Sequence, residues 1–309
     1  MRAASPLPSP PASRSDPLDW ALDLKTWPHA KHSRRVLCKP HRWHMQDVGV
    51  GPLLLLIHGA GGSTHCWQHL IPHLAQSYRV VALDLPGQGF TQLGAQHRCG
   101  LDAMVEDILA LCHAEDLRPA ALIGHSAGAA IALRLSETLP VARVIGINAA
   151  LDTFHGVAGV LFPVLAKTIA ATPLAATLFS ATASQGNTVA RIIEGTGSKL
   201  TAQDLDCYRR LVASRSHVQA TLLMMAQWQL EPLLARLAQI PAQTLLIAAQ
   251  NDKAVPPATS ERAANKMPQG RSTLLPDLGH LAQEEDAQTI AQLILADLST
   301  RSLEESTKA

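Results

Sequence analysis

Apolar residues along this chain fall into two textures. Leu53-Leu54-Leu55-Leu56-Ile57 is apolar at every position and is bounded by Gly51-Pro52 and a Gly-rich stretch. A run that short with no polar face predicts a strand buried on both sides, as in a parallel sheet. Residues 79–85, 120–123, 142–148, 243–249 and 271–275 also hold short apolar runs and read as strands. Between them apolar positions recur at helical spacing. Over 101–114 they are Leu101, Met104, Val105, Ile108, Leu109 and Leu111, and helices are likewise expected over 65–76, from Ala129 onward, over 256–267 and over 281–298. Ahead of these, 34–39 and 42–48 flank the turn Lys39-Pro40-His41 and predict an antiparallel pair. Strands alternating with helices give an α/β class, a doubly wound and mostly parallel sheet that takes ligands at the carboxyl ends of its strands.

The alternation breaks after the sixth strand. Residues 150–216 read as a helical lid inserted into a core made of 31–149 and 217–299. From Phe154 to Phe179 the only fixed charge is Lys167. Hydropathy alone would allow a membrane span there. Pro163, Pro173, the many small residues and the regular α/β context favour a lid lining an apolar pocket, with weak membrane-surface contact as an intermediate reading. The stretch 184–206 is polar and Gly-containing. A helix over 217–238 follows; most of its apolar residues belong to a core, with Met225 or Trp228 as candidates to line the pocket. Residues 1–20 contain five prolines and four serines. They lack the apolar stretch of a secretory signal, so 1–30 is expected to be a disordered extension and 300–309 a tail.

The candidate chemistry centres on Gly124-His125-Ser126-Ala127-Gly128, between the strand 120–123 and an apolar helical segment. A serine on a tight strand-to-helix turn has its hydroxyl lifted clear of the sheet, and the residues two before and two after must be small. Alone, such a pentapeptide arises readily by chance. It gains meaning from two later loops. Asp252 follows one strand in Gln250-Asn251-Asp252-Lys253-Ala254-Val255-Pro256, and His280 follows the last in Asp277-Leu278-Gly279-His280. A serine needs a base to take its proton, and the base needs a carboxylate to fix its tautomer. A loop aspartate also serves as a turn residue, and a lone histidine as polar surface. The joint placement of Ser126, Asp252 and His280 at three strand ends is what points to a triad. Asp277 and Asp152 are rival acids. Backbone N–H groups of Ala60, in His58-Gly59-Ala60-Gly61, and of Ala127 are placed to hold an oxyanion.

Composition narrows the alternatives. A formal net charge of +1 offers no electrostatic case for nucleic acid. The five cysteines are scattered, with no C-x-x-C pair, which fits a reducing, cytoplasmic setting, peripheral to a membrane at most. His65, His69 and His73 would share one helix face, where a solvated polar stripe explains them better than a metal; neither metal nor cofactor is implied.

Taken together, His58-Gly59-Ala60-Gly61, Asp84-Leu85-Pro86-Gly87-Gln88-Gly89, the Ser126 pentapeptide, Asp252 with Val255-Pro256, and Gly279-His280 resemble the α/β-hydrolase superfamily over residues 30–298. Gln88 stands where that family often has histidine. Glu285 sits suitably after His280, but Ala287 replaces a common proline. A narrower resemblance is carried by Trp27-Pro28-His29, Ser33-Arg34, Arg42-Trp43-His44-Met45-Gln46, Gly59-Ala60-Gly61-Gly62-Ser63-Thr64-His65 with Trp67, and Gly279-His280-Leu281-Ala282 with Glu284-Glu285. These look like the BchO-type hydrolases, described as magnesium-chelatase accessory proteins of bacteriochlorophyll synthesis. The resemblance implies a pathway handling large apolar tetrapyrroles, with magnesium chelatase as a partner. It does not imply a reaction. An apolar ester or related acyl substrate, a non-catalytic porphyrin-binding role, and C–C or halide chemistry all remain compatible with the motifs.

Overall fold

The computed structural model describes residues 18–152 and 187–306. The short apolar runs pair into one eight-stranded sheet in the order β1-β2-β4-β3-β5-β6-β7-β8. These are β1 Ser33–Cys38, β2 His41–Val48, β3 Leu53–Ile57, β4 Arg79–Leu83, β5 Pro119–His125, β6 Arg143–Ile147, β7 Gln243–Ala249 and β8 Gly270–Leu275. β1 and β2 form the expected antiparallel pair, and β2 meets β4 antiparallel. All other pairings are parallel. The doubly wound, mostly parallel architecture is therefore the one its apolar runs specify.

Helices cover both faces. In chain order they are α1 Ile71–Leu74, α2 Leu101–Ala114, α3 Ala127–Ser136, α4 Thr188–Gly195, α5 Ala202–Ala213, α6 Arg215–Gln227, α7 Glu231–Leu234, α8 Ala258–Ala264, α9 Ala282–Glu285 and α10 Ala287–Ser306. Alternate residues of β3 divide between two cores, as the pleat requires. Leu55 and Ile57 pack with Met104, Ile108 and Ile131 of α2 and α3. Leu54 and Leu56 pack with Trp67, Ile71, Ile290 and Ile294 on the opposite face.

Three elements depart from expectation. The helix expected over 65–76 is a 3-10 turn, Thr64–Trp67, followed by the short α1, whose first turn holds Pro72. A proline at a helix start lacks the N–H that would continue an earlier helix. The helix expected over 217–238 is α6 and α7, broken where Trp228 turns extended (ψ 121°) and Pro232 opens the next turn. The closing helix divides at Asp286, whose side chain accepts from the Thr289 N–H at 3.0 Å and starts α10. α10 then runs on to Ser306, through part of the expected tail.

The boundary at residue 30 also moves. Residues 18–32 are not an extension without structure: two 3-10 turns, Leu24–Thr26 and Ala30–His32, lead into β1. Trp27 is 3% exposed, in an apolar cluster with Phe90, Val189, Ile193, Tyr208 and Leu211. One buried tryptophan outweighs a Pro- and Ser-rich flank. Residues 1–17 lie outside the described residues. So does the apolar stretch 154–179; the described part of the insertion after β6 is helical, as α4, α5 and the start of α6. Among the described residues no helix is long and apolar enough to cross a membrane.

Two glycines are dictated by how closely β3, β5 and α3 approach. A Cβ on Gly128 would lie 2.1 Å from the Ile57 carbonyl oxygen, and one on Gly124 would lie 2.3 Å from that of Gly128. Both obstacles are backbone and cannot swing away. Gly128→Ala is therefore expected to cost about 3 kcal/mol or more of stability, read as a lowered urea midpoint at unchanged slope.

Candidate active site

The loops leaving the parallel strands converge at their carboxyl ends. Ser126 sits between β5 and α3 with φ 53° and ψ −119°, an αL-side φ that a residue with a side chain adopts only under constraint. The turn is held from both sides. Ser126 N–H donates to the Ile147 carbonyl at 2.9 Å, and its own carbonyl accepts from Ala129 and Ala150 N–H, each at 3.1 Å. Ala127 opens α3, in the first turn, where helical N–H groups have no intrahelical acceptor.

Ser126 and His280 line one cavity of about 680 Å³, together with Ala60. Most of the remaining wall is apolar and comes from α4, α5 and α6, including Ile192, Ile193, Val212, Val218, Leu222 and Met225. Met225 thus lines the cavity, whereas Trp228 packs against the core.

His280 Nδ1 lies 2.8 Å from Asp252 Oδ2, and the Asp252 carboxylate is buried. Oδ1 of Asp252 accepts from the N–H groups of Ala254 and Val255, both at 2.8 Å. The rival acids are elsewhere. Asp277 is exposed on its loop, and Asp152 pairs with Arg262.

Four further residues hold this arrangement, and sequence spacing gave no sign of three of them. Asn148 Nδ2 donates to the carbonyls of Gly279 (3.0 Å) and His280 (2.9 Å), while its Oδ1 accepts from Ala249 N–H at 2.8 Å. His125 Nε2 donates to the same His280 carbonyl at 2.8 Å. Burial, reinforced by the neighbouring His280, holds the His125 ring well below the usual histidine range, so it serves as a neutral donor. Glu285, noted in the sequence, accepts from Gly279 N–H at 2.9 Å and from Lys199 N–H at 3.1 Å. It ties the His280 loop to the segment between α4 and α5. Ser198 Oγ adds a bond from Leu281 N–H at 2.8 Å.

The Gly-rich loop after β3 is fixed by side chains from the next strand end. Gln88 Oε1 accepts from Gly61 N–H at 2.8 Å, and its amide reaches Met224 Sδ at 3.3 Å. The glutamine thus braces the Ala60 loop against α6. Asp84 is fully buried; its carboxylate accepts from Thr64 N–H at 2.6 Å and Phe90 N–H at 2.8 Å, and meets His44 Nδ1 at 2.6 Å. Burial alone would raise this carboxyl, but His44, the His58 ring and the Phe90 N–H outweigh it and bring it down to about 2. A carboxyl lowered on folding contributes stability that is complete above its unfolded value near 4 and is lost as pH falls through about 2. Asp84→Ala is expected to cost about 3 kcal/mol, because it leaves His44 and two N–H groups buried without their acceptor. Urea titrations of both proteins from pH 5 to pH 2 check this: the difference should shrink towards the acid end.

The histidines thought to share one helix face do not. His69 is half-exposed and pairs with Asp204 at 2.8 Å, while His65 is buried in the 3-10 turn with its Nδ1 2.7 Å from Ser63 Oγ. His65 instead neighbours Cys66, Tyr208 and Glu284, of which Cys66 and Tyr208 line the cavity. Burial pushes the His65 ring down to about 3 and the Glu284 carboxyl up to about 8.

A family model described as the alpha/beta hydrolase fold matches residues 52–287. A protein of Rhodobacter capsulatus named magnesium-chelatase 30 kDa subunit is 42% identical over 271 residues, covering 87% of this chain and 95% of that protein. Among solved structures, an alpha/beta hydrolase fold protein from Burkholderia ambifaria superposes with TM-score 0.72 at 22% identity, covering 85% of this chain and 97% of that one. A haloalkane dehalogenase loop variant from Bradyrhizobium elkanii gives 0.71 at 18% identity over 90% of this chain and 99% of that one. At these identities the structural likenesses bear on the fold alone.

Proposed function

The chain belongs to the α/β-hydrolase fold family, and from that premise we propose that it is a serine hydrolase acting on an apolar ester or related acyl substrate. Ser126 attacks the acyl carbon and His280 takes its proton, then returns it to the leaving group. Asp252 keeps His280 in the tautomer whose Nε2 accepts, and the N–H groups of Ala60 and Ala127 hold the oxyanion. The observation that carries this reading is a strained serine and an aspartate-bound histidine on the wall of one largely apolar cavity. The apolar wall supports the substrate class. The likeness to the Rhodobacter protein supports a place in magnesium-tetrapyrrole chemistry. A panel of p-nitrophenyl esters, from acetyl to long acyl chains, tests the substrate class. kcat/KM is expected to rise with chain length. No cleavage of any member, while a known esterase turns them over in parallel, overturns the substrate claim.

The name of the Rhodobacter relative favours a second reading, in which the protein binds a porphyrin and assists magnesium chelatase without catalysis. Full restoration of magnesium-tetrapyrrole synthesis by Ser126→Ala in a deletion strain would favour this reading over catalysis. Failure of that variant, folded and expressed at the normal level, would count against it.

A further inference from the structure

The polar side chains on the cavity wall, apart from Ser126, His125 and His280, fall into two groups. Thr196 donates to the Ile193 carbonyl at 2.6 Å, and Thr221 to that of His217 at 2.9 Å. The His217 ring spans the Gly89 N–H at 3.0 Å and the Gly61 carbonyl at 3.2 Å. These groups are spent on the protein itself.

The second group is different. Cys66 and Tyr208 reach the cavity, and His65 and Glu284 are buried beside them. The Tyr208 hydroxyl donates to Glu284 Oε1 at 2.7 Å and lies 3.4 Å from Cys66 Sγ. The other carboxylate oxygen, Glu284 Oε2, is buried and has no hydrogen-bond partner at ordinary distance among the described residues; beside Tyr208, the weakly donating Cys66 thiol also acts on this carboxyl. Such an orphan costs about 1–3 kcal/mol for a neutral group and more for a charged one, and calls for an explanation.

One ligating atom each from His65, Cys66 and Glu284 lies within 4.8 Å of the other two. Three atoms that close fit inside a circle of radius about 2.8 Å (4.8 Å divided by √3), against zinc bond lengths of about 2.0–2.3 Å. An ion at the centre therefore needs the side chains to draw in by at most about 0.5–0.8 Å. We propose that His65, Cys66 and Glu284 form a binding site for one divalent transition-metal ion of the zinc class, with an open position toward the cavity. The ligand set is imidazole, thiolate and carboxylate, a mixture that favours zinc over the oxygen-seeking magnesium and calcium. Thiolate and carboxylate together balance the ion's charge. Ser63 Oγ, 2.7 Å from His65 Nδ1, fixes that ring and leaves Nε2 to ligate. Tyr208 holds Glu284 Oε1 and leaves Oε2 free. Three protein ligands with a vacant fourth position form the pattern of a zinc site that meets a ligand. None of the three is Ser126, Asp252 or His280, so the site stands or falls apart from the hydrolase reading.

The test uses the full chain, stripped with chelator and titrated with cobalt(II) as a spectroscopic probe and zinc(II) for stoichiometry. One equivalent of zinc should bind, and cobalt should give a thiolate-to-metal charge-transfer band in the near ultraviolet. Affinity should fall by about 10–100-fold or more in Cys66→Ser and Glu284→Gln. His69→Ala, which alters the exposed histidine nearby, should leave it unchanged. The wild-type protein alone can refute the proposal. No zinc at stoichiometric excess, or cobalt bound without the thiolate band, overturns it whether or not the variants fold. Undiminished zinc binding by folded Cys66→Ser and Glu284→Gln overturns it as well.

Discussion

Ser126→Ala is expected to lower turnover of any cleaved ester by on the order of 10⁴–10⁶-fold while leaving the protein folded. The size follows from the chemistry: without the hydroxyl no acyl-enzyme forms, and what survives is substrate binding and oxyanion stabilisation of attack by water. The fold has little stake in this oxygen. The Ser126 side chain makes no capping bond to α3; the turn is held by its backbone bonds to Ile147, Ala129 and Ala150. Alanine meets the same strain at φ 53° as serine does. The melting temperature should therefore move by no more than a few degrees, as for a change within about 0.5 kcal/mol. Steady-state kinetics on purified wild type and variant, with melting curves in parallel, check both halves. A variant retaining a tenth of wild-type turnover would remove Ser126 from the reaction.

Asp252→Asn is expected to reduce kcat by about 10⁴-fold, chiefly through a tautomer rather than through lost charge alone. Asp252 Oδ1 already accepts two N–H groups, from Ala254 and Val255. An asparagine in the same place must keep its oxygen there, so its NH₂ faces His280 Nδ1, 2.8 Å away in the native protein. A ring that accepts at Nδ1 carries its proton on Nε2 and has no lone pair there to take the proton of Ser126. KM should change little, since Asp252 does not line the cavity. Comparable losses in Asp152→Asn or Asp277→Asn, with Asp252→Asn active, would move the acid to a rival residue.

The sheet was legible because β3 is wholly apolar and short, a texture that a half-exposed helix cannot have, and because the later strands carry short apolar runs between helical stretches. The ends of helices were less legible. Residues 65–70 carry helical spacing, yet the chain there forms a 3-10 turn over Thr64–Trp67, and a new helix starts at Ile71 with Pro72 in its first turn. The segment 18–32 directly follows a Pro- and Ser-rich stretch, and it is ordered by contacts distant in sequence: Trp27 is buried among residues of α4 and α5, and Arg210 donates to the Asp23 carbonyl at 2.6 Å. The site divides in the same way. Ser126 announces itself through Gly124 and Gly128, since contacts close to it in sequence force their size. Asp252 and His280 follow from their order at strand ends. Asn148 and His125 act on the His280 carbonyl from more than 130 residues away in the chain, a relation that leaves no spacing to read. Glu284 is a further case. It opens the run Glu284-Glu285-Asp286, which reads as a polar surface stretch, and the approach of α5 buries it against Tyr208.

The central claim is that Ser126 is an activated nucleophile, and covalent labelling addresses it most directly. Wild type and Ser126→Ala are each treated with a fluorophosphonate and measured by intact mass. The account predicts one adduct on wild type, on the peptide containing Ser126, and none on the variant. An unlabelled but well-folded wild type, or an adduct that persists in Ser126→Ala, would contradict it.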